Sequence, residues 1–109
     1  ASATATDAYN MAYSALQLVS LESVNHTFTI SSIGGGGVSG VQTETFTKAG
    51  YYPIAMVGFQ TGYNRTVFSR CQITAASSGS VTITYNATNT GSSSSGSMSA
   101  SVDILWIEE

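Results

Sequence analysis

The sequence predicts a mainly β protein: an antiparallel β-sandwich, jelly-roll-like, over residues 23–109, preceded by a short α-helical neck over residues 1–22. Three observations carry this prediction. The apolar period changes from near 3.5 to 2 at about residue 24. Beyond that point β-branched and aromatic residues fill the alternating runs. Charged residues make up only 8% of the chain, about a third of the ordinary share, and Ser, Thr, Gly and Asn take their place. Disorder is excluded because the apolar and aromatic residues are plentiful and regularly placed.

The first element is the stretch "ASATATDAYNMAYSALQLVS". Ala1, Ala8 and Ala15 recur at sevens with Thr4, Met11 and Leu18 between them, the 3-4 spacing of a heptad seam. Ala5, Ala12 and Val19 widen the stripe. Thr6 or Asp7 is placed to cap it, and the Asp7 carboxylate favours a helix start. A helix this short is marginal in water on its own. It therefore needs partner helices, met through Ala8, Met11, Ala15 and Leu18.

The strands follow in order. "VNHTFTI" sets Val24, His26, Phe28 and Ile30 on one face, and "VQTETFTKA" sets Thr43, Thr45 and Thr47 along another. "YYPIAMVGF" over residues 51–59 is apolar at nearly every position, with Pro53 near its start, where a strand tolerates the missing donor. "TVFSRCQITA" groups Val67, Ser69, Cys71 and Ile73. "SVTITYNA" turns Val81, Ile83, Tyr85 and Ala87 inward, and "MSASVDILWIEE" does so with Met98, Ala100, Val102, Ile104 and Trp106. The intervening "SIGGGGVSG", "QTGYNR", "ASSGS" and "NTGSSSSGS" read as turns and loops.

Several function classes are excluded. A net charge of −3 with three basic residues, Lys48, Arg65 and Arg70, does not build a phosphate-binding surface. No run of about 18 apolar residues provides a membrane span. The glycines at 34–37 lack the Gly-Lys-Ser/Thr ending of a phosphate loop. No cofactor motif is present. The lone Cys71 reads as a buried thiol. The lone His26, on an apolar face, reads as a core or interface histidine; three copies around a threefold axis are the minority case for a metal. Glu44 and Asp103 are the strand-borne acids, and no spacing ties them into a glycosidase pair. The reading is non-enzymatic. Asn25, Asn64 and Asn86 fit the glycosylation sequon, a match that arises by chance in so Asn- and Thr-rich a chain.

Two readings remain open for "TGYNR". Tyr63 offers a ring face, Asn64 an amide and Arg65 a fork of donors, a mixture that suits a sugar. The other reading is a tight hairpin in which Gly62 and Asn64 serve the turn. The doubly apolar 51–59 stretch loses water on both faces if one packs on the core and the other on a second chain. Together with the neck it predicts oligomerisation.

"TFTKAGYYPIAMVGFQ", the Ser/Thr/Asn-rich strand series and the terminal "SVDILWIEE" resemble C-terminal head domains of tail fibre or minor structural proteins from phages and prophages of gut bacteria. "TATDAYNMAYSALQ" is similar to the helical shaft repeats that precede such heads. The resemblance implies a homotrimeric fibre tip on the virion, joined to an upstream shaft and acting outside the cell. Its partner is then a host surface glycan or protein, with no nucleic acid and no membrane insertion. It supplies no invariant binding residue. Its alternatives are a structural trimerisation module and a monomeric carbohydrate-binding module of a secreted enzyme. The opening Ala1-Ser2-Ala3, without Met, carries the expectation of a fragment or processed product.

Overall fold

Alternating residues form strands wherever one face finds a core to pack on. A computed structural model describes residues 20–109. It contains β1 (Leu21–Ile30), β2 (Gln42–Thr47), β3 (Tyr51–Thr61), β4 (Thr66–Ser77), β5 (Ser80–Asn89) and β6 (Met98–Glu108). They form two antiparallel sheets, ordered β1-β6-β3 and β2-β5-β4. The expected neck lies outside the described residues, except that Leu21 and Glu22, assigned to it from the sequence, open β1.

The order is nested. β3 and β4 are consecutive yet lie in opposite sheets, β2 and β5 pair outside them, and β1 pairs with β6 outside all four. The two central strands, β5 and β6, therefore hold the core. Val81, Ile83 and Ala87 on β5 and Val102, Ile104 and Trp106 on β6 are fully buried. Each large member contributes about 1.5–3 kcal/mol by leaving water. Phe28 and Ile30 of β1 complete the core, as expected from alternation.

β4 departs from the sequence reading. Val67, Ser69, Cys71 and Ile73 do not share a face, because a register shift between Phe68 and Arg70 leaves Ser69 without a partner on β5. One extra residue reverses the alternation. Phe68, opposite Ala87, now faces inward with Cys71 and Ile73, while Val67 is exposed. β3 carries two such shifts, at Pro53/Ala55 and Met56/Gly58. It is an edge strand, which explains how it accommodates Pro53.

The connections collect at two ends. At one end the Ser78–Gly79 turn joins β4 to β5, with Gly79 at φ 74°, a conformation that favours glycine. Its N–H donates to the Tyr51 carbonyl at 2.7 Å and its carbonyl accepts from Lys48 N–H at 3.0 Å. Ser20, where the N-terminal segment joins, lies at this same end and accepts from Glu108 N–H. The opposite end holds the loops 31–41, 62–65 and 90–97. Asn89, fully buried, organises them: its Nδ2 donates to the Ile33 and Ser93 carbonyls and its Oδ1 accepts from Gly91 N–H. The loops approach so closely that a Cβ at Gly35 would meet the Ser92 backbone.

Candidate functional site

The 62–65 connection is a tight corner between β3 and β4. Thr66 N–H and the Thr61 hydroxyl both donate to the Tyr63 carbonyl, at 3.1 and 3.0 Å. Thr90 donates to the Arg65 carbonyl through both its N–H and its hydroxyl. Tyr63 is half-buried and packs against the core cluster, while Asn64 and Arg65 are exposed. The Arg65 side chain lies beside Gly91. The three residues are close in the chain, but they point their chemistry to different places. Beside this corner Phe59, Gln60, Thr61, Thr66, Val67 and Phe68 line a shallow hollow of about 230 Å³. The Thr66 hydroxyl is buried there without a partner.

A second pocket, about 210 Å³, opens between β1 and β2 at the loop end. Its origin lies in the phase of β2. Thr43, Thr45 and Thr47, grouped on one face from the sequence, are exposed, so Gln42, Glu44 and Phe46 take the inward phase opposite Tyr85, Ile83 and Val81. Phe46 reaches the core, packing on Phe28 with ring centroids 6.1 Å apart. Glu44 and Gln42 cannot be buried at such small cost; Glu44 is half-buried and Gln42 exposed, and both line the pocket. Ser31 and Ser32 from the loop after β1, and Ser39, supply hydroxyls; the buried Tyr85 lies behind them. Ser39 is held firmly, its hydroxyl accepting from Ala87 N–H at 2.9 Å and its N–H donating to the Ala87 carbonyl at 2.8 Å. The Tyr85 hydroxyl is shifted to a higher pKa by burial first and by the Glu44 carboxylate second.

The remaining chemical groups are committed elsewhere. Trp106 Nε1–H donates to His26 Nε2 at 3.1 Å. That bond requires a lone pair on Nε2, so the neutral ring carries its proton on Nδ1. His26 also stacks on Phe46 at 4.7 Å, which places it between the sheets. Its pKa is lowered by burial and by Lys48, against a weaker opposing effect of Asp103. The Cys71 thiol is pushed up to about 11 by burial and lies 3.9 Å from the Met56 sulfur. A thiol so shifted is not a nucleophile near neutral pH. Asp103 accepts from Asn25 Nδ2 at 2.8 Å, on the face of β6 opposite to buried Val102 and Ile104. Glu44 lies in the other sheet, on its inward phase, so the two acids do not flank a common cleft.

The Glu44 pocket was missed by reasoning from motifs, since none of its residues forms one. A signal was present: the polar pair Gln42 and Glu44 occupies the phase that Phe46 assigns to the interior. Compared with family models, curated proteins and solved structures, the chain matches none.

Proposed function

We propose that this chain is the head of a phage or prophage tail fibre, non-enzymatic and homotrimeric. It joins the shaft through the segment that precedes Leu21, where β1 begins, and attaches to a saccharide on the host surface. The observation that carries this reading is the apolar strip along β3. Ile54, Val57 and Phe59 are 48%, 57% and 54% exposed, and Leu21, which neighbours Ile107 at the end of the same sheet, is 54% exposed. Leu21 and Ile54 lie toward the junction with the N-terminal segment, Val57 lies at mid-strand, and Phe59 lies toward the loop end, opposite Val102 and against Phe68. Clustered exposed apolar groups mark surfaces that associate. Pro53 and the two bulges interrupt the free edge of β3, so strand addition is disfavoured and copies meet through side chains.

The head is also polarised. The N-terminal junction lies at one end and the hydroxyl-rich loops 31–41 and 90–97 at the other, which suits a tip that presents loops outward. Three linked sites gain avidity from weak individual contacts.

The test is solution mass by light scattering over a dilution series. The expected result is three times 11.3 kDa, falling to one chain in Val57→Asp. A folded wild-type monomer overturns the trimer. A variant that stays trimeric removes β3 from the interface. A glycan array on the trimer tests attachment, and silence against host polysaccharides favours a purely structural module.

A further inference from the structure

We propose that the pocket between β1 and β2 binds a single uncharged sugar unit, with Glu44 as its principal hydrogen-bond acceptor. The inference deepens the saccharide part of the reading above by assigning it a place and a ligand class, and it moves the contact away from Tyr63, Asn64 and Arg65.

Four features of the pocket lead to this class. Its chemistry is that of a polyol site: hydroxyls from Ser31 and Ser32, an amide from Gln42, the Tyr85 phenol and one carboxylate, beside a Ser39 hydroxyl already bonded to Ala87 N–H and the Gly40 carbonyl. Donors and acceptors of this kind match the alternating hydroxyls of a sugar ring. None of Lys48, Arg65 and Arg70 lines it, so an anionic ligand meets Glu44 without compensation. Uronic and sialic acids, phosphates and sulfates are thereby disfavoured. Its size, about 210 Å³, falls below the roughly 300–1,000 Å³ of drug-sized sites. One ring fits and an oligosaccharide does not, so a longer glycan would enter by its end.

The fourth feature concerns Glu44 itself. It is half-buried on the inward phase of β2, opposite fully buried Ile83. Among the described residues its carboxylate has neither a hydrogen bond nor an ion pair, whereas the only ion pair there joins Lys48 to Glu22 at 3.1 Å. A half-buried carboxylate left unpartnered beside hydroxyls is an acceptor in waiting, and charge-assisted bonds are the strong ones. One wall is already pinned. Ser39 is bonded twice to β5, Val38 bridges to Thr88, and Gln42 and Glu44 sit in the paired part of β2. That wall needs little further ordering on binding. An inward charge on an edge strand also discourages edge-to-edge pairing, and that simpler role is the rival to be separated.

The experiment is a titration of the full chain, followed by backbone NMR, with D-glucose, D-galactose and N-acetylglucosamine against D-glucuronate. At least one neutral sugar is expected to shift the amides of Gln42, Glu44 and Tyr85 at millimolar concentration, with glucuronate at least tenfold weaker. Glu44→Gln, nearly isosteric, should weaken the neutral sugar about tenfold while the rest of the spectrum stays in place. The proposal is overturned if no neutral sugar shifts these amides, if glucuronate binds as well, or if shifts appear only at residues 63–65. It also falls if Glu44→Gln changes solubility but not affinity, which leaves edge protection alone. A monomer that binds sugar keeps the pocket and sinks the trimer; a trimer whose pocket stays silent does the reverse.

Discussion

The two long edges of this protein close the same core by opposite means. Along β1 and β2 the gap is latched. His26 stacks on Phe46, Phe28 meets Tyr85 at 5.0 Å, Trp106 donates to His26, and Lys48 pairs with Glu22 from one sheet to the other. Along β3 and β4 the closure is soft. Phe59 meets Phe68 edge to face at 5.4 Å, Met56 approaches Cys71, and large apolar side chains remain in solvent. The edge along β1 and β2 is held by polar and aromatic contacts, and its exposed apolar groups, Leu21, Val38 and Val41, sit at a strand end and in the loop before β2. On β3 and β4 the exposed apolar groups, Tyr52, Ile54, Val57, Phe59 and Val67, lie within the strands themselves. That difference teaches where to look for partners, and the small polar pocket lies on the other side, between β1 and β2.

The largest effect that sharpens this contrast is expected from Phe28→Ala. Phe28 is 8% exposed and touches Phe46, Phe68 and Tyr85. Its truncation should cost about 3–5 kcal/mol in urea unfolding. If the chain associates as proposed, Val57→Asp is the right background, because association adds its own stability.

His26→Phe comes next. It preserves a ring on Phe46 but strands the fully buried Trp106 N–H, at a cost of roughly 1–3 kcal/mol. Acid makes a related change reversibly. The folded pKa of His26 lies below its ordinary 6.5, so the unfolded chain takes up this proton first. Its stabilising contribution is complete above about 6.5, declines as pH falls toward the folded value, and is flat below that. Trp106 is the only tryptophan, so its emission follows both unfolding and ring protonation. A wild-type stability profile flat from roughly pH 7 to 5 would break the idea of a histidine latch. His26→Phe should remove the slope.

Phe59→Ser probes the soft edge. Since the ring is already half-exposed, unfolding of the single chain should change by only about 1 kcal/mol, while the association proposed above should weaken. A large loss in the monomer with no effect on association would reverse the contrast drawn above. The smallest effect belongs to Glu22→Gln. Its ion pair with Lys48 is solvent-screened and contributes roughly 0–1 kcal/mol.

Much of this was legible in the sequence. β1, β5 and β6 alternate without interruption, so every inward residue expected of them is buried or half-buried, from Val24 to Trp106. β4 was misphased because a bulge at Ser69 leaves no mark in local composition. A single unpaired residue is chosen by fit to β5, not by propensity. Gln42 and Glu44 were visible as polar residues on an inward phase, but the space around them depends on where β1 ends and where Ser39 is tied to β5.

By itself, then, the sequence determined the β class, the strands and most of the buried face, because side-chain alternation is a local property and burial follows from it. It also marked β3 as apolar on both sides. Only the tertiary structure decided that β3 is an edge, that His26 serves Trp106, that Glu44 and Asp103 stand apart, and that a polar pocket lies at the end away from the N-terminal junction. Those outcomes depend on pairing between residues as distant as Trp106 and His26. Such pairing is set by the order in which strands are laid side by side, and no short window of sequence contains that order.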